Sequence, residues 1–364
     1  MILDRYFARR FAYIFGAMFV IFAIILTFLG LADNLRRYGG DAGSFRVILD
    51  LALLDAPRGV YQILPLIMIL ASISMFLGLA RSSELVVTRG AGRSGLRLLM
   101  APLVVSVLIG AIGVAVLNPI VAATSRAFEN KVATLQGSGS VLSLASSGLW
   151  LRQGNEDGQT VINATRTNLS GTTLWDATFL TFDPEGMPLA RIEANIAVLN
   201  NGAWTLNGVK TWPLNTAGTP EAAAKVMDTA SIPSTLTADQ IRNNFGTPSS
   251  ISIWNLSAFT ERLQSAGFSA QRHIVWFQME LSQPVFLGAM MLIGAAFTMR
   301  PQRGGKVGLN VMTAILLAFT IYFIRNFAQI LGENGDVPAA LAAWAPPLAA
   351  AGVAMGILLQ REDG

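Results

Sequence analysis

Six stretches of the chain are predominantly apolar over about 20 residues, the length a helix needs to cross a bilayer. They run Phe11–Ala32, Val60–Ala80, Leu98–Ala123, His273–Met299, Val307–Leu331 and Pro338–Leu359. The first is too long for a signal-peptide core and lacks a small-residue cleavage site, so it is expected to stay attached. Between the third and fourth spans the period changes. "TVINATRT", "TTLWDATFLTF", "ARIEANIAVL" and "AWTLNGVKTW" alternate with period two. They are separated by the turn signals Asp183-Pro-Glu-Gly186 and Asn200-Asn-Gly202, as short strands with polar turns are. About 100 residues of this suit a small sandwich or jelly roll. Residues 215–250 read as irregular, and 257–267 as a short helix returning to the membrane, with Leu256, Phe259 and Leu263 at helical spacing. The expected architecture is a membrane α-helical bundle of six transmembrane helices with an inserted all-β domain. Residues 1–132 hold spans one to three and a short helix at 82–90. Residues 133–256 form the β domain, and 257–364 hold the connecting helix and spans four to six.

Charge sets the orientation, because Lys and Arg favour the cytoplasmic loops. Residues 1–10 carry Arg5, Arg9 and Arg10; residues 81–97 carry Arg81, Arg89, Arg93 and Arg97; residues 300–306 carry Arg300, Arg303 and Lys306. The loop 33–59 is balanced, with four bases and four acids, and 332–337 holds only Glu333 and Asp336. Both termini and the basic loops are therefore expected inside, and the β domain outside. Composition agrees with a membrane chain: 52% hydrophobic, 13% charged and mean hydropathy +0.51. The net charge of +4 lies beside the apolar runs, so nucleic acid is not the expected partner. With no cysteine there is no disulfide framework or thiolate nucleophile.

Enzyme signatures are missing. The chain has no P-loop and no H-E-x-x-H, and His273 is its one histidine. A serine triad would have to use that histidine, and no nucleophile elbow accompanies it. No catalytic residue, metal site or cofactor is expected in this chain. Charges within spans are costly and so informative. Glu280 in span four and Arg325 in span five either pair with neighbours or line a wet cavity. Arg36 and Arg37 after span one, and Arg126 and Lys131 after span three, put bases on the outer side. They are either solvated helix ends or a seat for phosphates through charge-assisted hydrogen bonds.

The loop between spans two and three, "ARSSELVVTRGAGRSG", is more than a connector. Ser82 or Ser83 can cap a helix that Glu84 favours in its first turn. Leu85, Val86 and Val87 give it an apolar side, and Gly90 and Gly92 end it. Two turns rise about 12 Å, far too little to cross. The element is a stub at the cytoplasmic face, suited to a groove on a partner or to resting among headgroups.

"SSELVVTRGAG" resembles the coupling-helix signature of the LptF/LptG family of lipopolysaccharide-export permeases. "LDRYFARR", "DNLRR", "SSGLWLR", the Gln283-Pro284 pair and "RPQRGGKVG" match in the same order, over nearly the whole chain; "ILDRY", "SELVV" and "GLW" are closer to its LptG branch. The resemblance implies a periplasmic β-jellyroll and a bacterial inner-membrane location. It also implies an LptF-like sister permease, an LptB-like ATPase dimer that binds ATP and Mg²⁺, and an LptC-like single-span protein. It gives Ser83, Glu84, Leu85, Val86 and Arg89 to coupling with the ATPase, with Glu84 meeting an arginine there. It gives Arg36, Arg37, Arg126 and Lys131 to lipopolysaccharide among the membrane lipid. The match departs at Glu129, where some members carry a second arginine, and in the signs at Glu280 and Arg325.

Extracting a multi-acyl lipid needs an energy source, since each buried methylene is worth about 0.8 kcal/mol. The chain carries none, which is why an ATPase partner is expected. Three rivals remain: a mechanotransmission subunit of another ABC system that acts on a periplasmic partner without carrying lipid, a membrane hydrolase, and a passive scaffold.

Overall fold

The computed structural model describes residues 2–40, 44–82, 84–90, 94–135, 143–145, 148–155, 158–168, 171–200, 202–214, 219–234, 236, 247–265, 269–299 and 307–362. The basic segment 300–306 lies outside them. The chain divides into two compact units. One holds Met1–Lys131, Ser249–Trp254 and Gln271–Gly364; the other holds Val132–Pro248 and Asn255–Ala270. The returning helix thus groups with the insertion rather than with the last three spans.

In the first unit, six helices are long and apolar enough to cross a membrane. Helix α1, Ile2–Tyr38, is one unbroken helix of 37 residues. It buries Phe7, Phe11 and Phe15 at a four-residue spacing and turns Val20, Ile24 and Phe28 outward. The loop expected at 33–59 is largely a second helix, α2, Phe45–Gln62. Ser44 caps it by accepting from the Arg46 amide, and Ile48, Leu51, Ala52 and Val60 form its buried side. Arg46, Asp50, Asp55 and Arg58 dilute its hydropathy, so the helical period was hidden. The backbone breaks at Ile63, and α3 runs Leu64–Arg81 with Pro65 at its start, where a missing N–H costs nothing.

The stub α4, Glu84–Gly90, leads to α5, Gly95–Ile112, capped by Ser94. A π-helical turn, Gly113–Leu117, widens the backbone before α6, Asn118–Leu135. Helices α7, Ile253–Ser265, α8, Gln271–Thr298, α9, Val307–Asn334, and α10, Ala339–Glu362, complete the chain. Helices α3 and α8 form the centre of the bundle, and small residues let them approach. A Cβ on Gly294 would meet Ser72 Oγ at 2.6 Å, and Ser72 Oγ donates to the Met291 carbonyl at 2.7 Å. A Cβ on Gly110 of α5 would lie 2.5 Å from Pro284 Cα of α8.

The second unit carries an antiparallel seven-stranded sheet in which each strand neighbours the next in sequence. The strands are β1 Ser143–Ala145, β2 Gly148–Asn155, β3 Gly158–Thr167, β4 Thr173–Phe182, β5 Pro188–Asn200, β6 Ala203–Pro213 and β7 Lys225–Pro233. Alternate residues such as Ile162, Ala164, Leu174, Phe179, Trp204 and Leu206 are buried, and Phe179 meets Trp204 edge-on at 6.1 Å. The turns fall where the sequence puts them: Gly186 and Gly202 take φ of 86° and 82°, conformations a side chain resists. Strand β7, in the segment read as irregular, corrects that reading. It is the last strand in the sheet order and most of its residues are exposed, so no apolar alternation marks it.

Gly110→Val should force α5 from α8 and cost about 1–3 kcal/mol. It should lower the thermal midpoint in detergent, whereas Gly352→Ala, with open space around it, should leave the midpoint unchanged.

Candidate functional site

The stub helix is tied into the bundle by Ser82 before it and by Glu84, its first residue. Ser82 closes α3, its amide donating to the Gly78 carbonyl at 3.0 Å. The Glu84 carboxylate then collects donors from three places. Arg10 Nη1 of α1 lies 2.8 Å from each of its oxygens, Tyr6 Oη donates at 3.0 Å and Ser82 Oγ at 2.7 Å. Arg10 also donates to Tyr6 Oη at 2.6 Å. Burial opposes ionisation of Glu84, but the hydrogen bonds from Arg10, Ser82 and Tyr6 outweigh it and hold the carboxyl below the ordinary glutamate range. These bonds put the N-terminal turns of α1 and the stub at the same end of the bundle.

Leu85, which the resemblance gives to coupling, faces inward. It is 1% exposed and joins the main apolar core, because a helix this short needs one residue packed inward to stay in place. Thr88 is buried as well, and Val87 is exposed, at 71%. Val86 and Arg89 lie on the same helix, and Ser83 lies outside the described residues.

The four outer basic residues fall into two pairs. Arg36 and Arg37 sit on the last turn of α1, exposed, with Asp33 as an ion-pair partner at 3.7 and 2.9 Å. Arg126 and Lys131 of α6 have partners within the chain. Arg126 Nε donates to the Ser250 carbonyl at 2.5 Å, and Lys131 Nζ to Asp50 Oδ2 at 2.9 Å. That hydrogen bond keeps Asp50 below the usual carboxylate range.

Glu280 and Arg325 take the pairing alternative. Tyr61 Oη donates to Glu280, and the Asn118 side chain hydrogen-bonds both. Arg325 Nη2 donates to Gln283 Oε1 at 2.9 Å and to the Met279 carbonyl at 3.3 Å, with its guanidinium 4.7 Å from the Phe286 ring centre. Sequence reasoning found the two charges but not Tyr61, Asn118 or Gln283. Polar residues within apolar runs were the available signal. It also counted Arg10 for orientation alone and missed its bond to Glu84. A cleft lined by Gln62, Ile63, Pro65, Met290, Phe319 and Tyr322 has a volume of about 100 Å³, room for a ring-sized guest and not for a glycolipid.

Residues 5–361 match the lipopolysaccharide export system permease LptF/LptG model. The chain belongs to this LptF/LptG family. Among its relatives is the lipopolysaccharide export system permease protein LptG of Haemophilus influenzae, 27% identical over 366 residues and 95% of each chain. The LptG permease protein of Escherichia coli K12 is 25% identical over 383 residues and 99% of each chain. As an LptF/LptG chain it is a multi-pass membrane protein, and the stub lies in the segment whose resemblance to the family was read from the sequence.

The lowered Glu84 carboxyl gives a pH prediction. A depressed folded pKa contributes stability that is present above the ordinary glutamate value, about 4.3, and is lost as pH falls through the folded value. The stub should therefore stay bound to α1 from neutral pH down through the ordinary range and release only below it. Arg10→Gln leaves burial less opposed, so Glu84 should titrate higher; carboxyl-carbon NMR against pH measures both.

Proposed function

We propose that this chain is one permease subunit of an ATP-driven exporter that lifts lipopolysaccharide from the inner membrane toward a periplasmic acceptor. It would work beside a sister permease of its own family, a single-span LptC-like protein and an LptB-like ATPase dimer. The partner dimer holds ATP and Mg²⁺, and this chain acts without a cofactor or a catalytic residue. The stub helix carries the reading. A seven-residue helix fixed between two spans, with Val87 exposed and a carboxylate at its first turn, suits a groove on a partner. In this reading both termini, the stub and residues 300–306 are cytoplasmic and the β unit is periplasmic, following the basic loops.

The lipid would lie against the outside of this chain. The internal cleft is far too small for several acyl chains, while α1 and α9 turn long apolar faces outward, Ile21 to Leu29 on one and Leu316 to Phe327 on the other. Exposed Arg36 and Arg37 at the end of α1 suit the phosphates of the headgroup. Arg126 and Lys131 already have partners, so they enter only by exchanging them.

Purification of the protein from its native membrane tests this. An ATPase and a second permease should copurify, with lipopolysaccharide found by mass spectrometry; an assembly without an ATPase overturns the reading. Replacing Arg36 and Arg37 together by Glu should reduce lipopolysaccharide crosslinking about tenfold while insertion is unchanged. Equal crosslinking in that variant removes the headgroup role.

A further inference from the structure

The donors around Glu84 bear on how force enters the chain. An ionised carboxylate offers about four acceptor positions. Arg10 takes one on each oxygen, and Tyr6 and Ser82 take one more on opposite oxygens. The ion pair is partly sheltered, with Arg10 and Glu84 side chains 27% and 35% exposed, so water and salt weaken it less than a fully solvated pair. Arg10 also lies 5.7 Å from the Tyr6 ring centre, which makes the three side chains one unit. Glu84 is thus held within its own chain while part of its side chain stays exposed.

The helix on the other side of this contact is the notable one. Span two is reached through the break at Ile63, the path through span three passes the π-helical turn Gly113–Leu117, and α8 contains Pro284. Helix α1 has no such interruption along its 37 residues. From Arg10 to Arg36 its axis rises about 39 Å, enough to cross the hydrocarbon. Its far end carries the two exposed arginines.

Resting on the ATPase reading above, we propose that Arg10 and Tyr6 are positioning residues of the transport cycle: their clasp on Glu84 makes α1 a rigid rod that carries stub-helix motion to Arg36 and Arg37. Glu84 then acts first as an internal joint. The partner seats on the exposed side of the stub, and the joint delivers its displacement to α1.

The test uses the full chain reconstituted with its copurifying partners in vesicles containing lipopolysaccharide. Three quantities are read: ATPase content, ATP hydrolysis, and lipopolysaccharide released per ATP. Arg10→Gln should retain the ATPase yet release roughly three- to tenfold less lipopolysaccharide per ATP. Glu84→Arg should lose coupling similarly, and Arg10→Glu combined with Glu84→Arg should recover most of it. Such recovery cannot arise if Glu84 works only by meeting an arginine of the partner. Wild-type release per ATP in Arg10→Gln, or a double variant no better than Glu84→Arg, overturns the clasp. If Arg10→Gln does not insert, comparison of the double variant with Glu84→Arg decides alone. Wild-type protein that purifies without any ATPase overturns the underlying reading instead, a result separate from either of these.

Discussion

Hydrocarbon gives an unpaired polar group nothing to bond with, and most of this bundle follows from that constraint. Glu280 is buried four residues before Pro284, whose ring nitrogen leaves the Glu280 carbonyl without its usual helical donor. Around this break the Glu280 carboxylate accepts from Tyr61 at the end of α2, with Asn118 at the start of α6 beside it, and Arg325 donates to Gln283. Three backbone irregularities, at Ile63, at Gly113–Leu117 and at Pro284, thus adjoin one polar cluster. Breaking a helix in a membrane is tolerated where side chains from other helices satisfy what is freed. Ser72 also donates to the Met291 carbonyl, and the indole of Trp254 donates to the Ala115 carbonyl within the π turn.

The outer layer obeys a different rule. Large side chains on α1, α5 and α9 face away from the bundle, which in water would be a liability and in lipid is ordinary. Polar contacts therefore specify the inside of this chain, and shape alone specifies its outside. That division suits a subunit whose central elements keep their arrangement while its flanks meet lipid or another chain. The clasp at Glu84 belongs to neither layer. It sits at the edge, partly wet, where a bond can hold through a motion and still exchange.

Long apolar runs were legible because one physical requirement, length, sets them. The turns at Gly186 and Gly202 were legible because their backbone conformation demands glycine. Helix α2 was hidden by the charges that keep Arg46, Asp50, Asp55 and Arg58 on its wet side. Strand β7 was hidden because an exposed edge needs no alternation. At the candidate site, Glu84 was visible from its place in a short helix, but its partners Tyr6 and Arg10 lie 78 and 74 residues away. Periodicity speaks only of neighbours, so contacts of that separation leave no trace in it. Leu85 shows what a motif does not carry, since its inward packing against the core is a contact of the fold rather than of the stub's own period.

One last feature concerns the seams of the insertion. On departure the chain passes Asn118 and Arg126; on return, the amide of Ile253 donates to Asn118 Oδ1, and the Ser250 carbonyl accepts from Arg126. Exit and entry are stitched side by side within the helical unit itself. Both contacts join residues of the helical unit, so departure and return are tied together by that unit's own side chains. An insertion or deletion between these two stitches would alter neither of them.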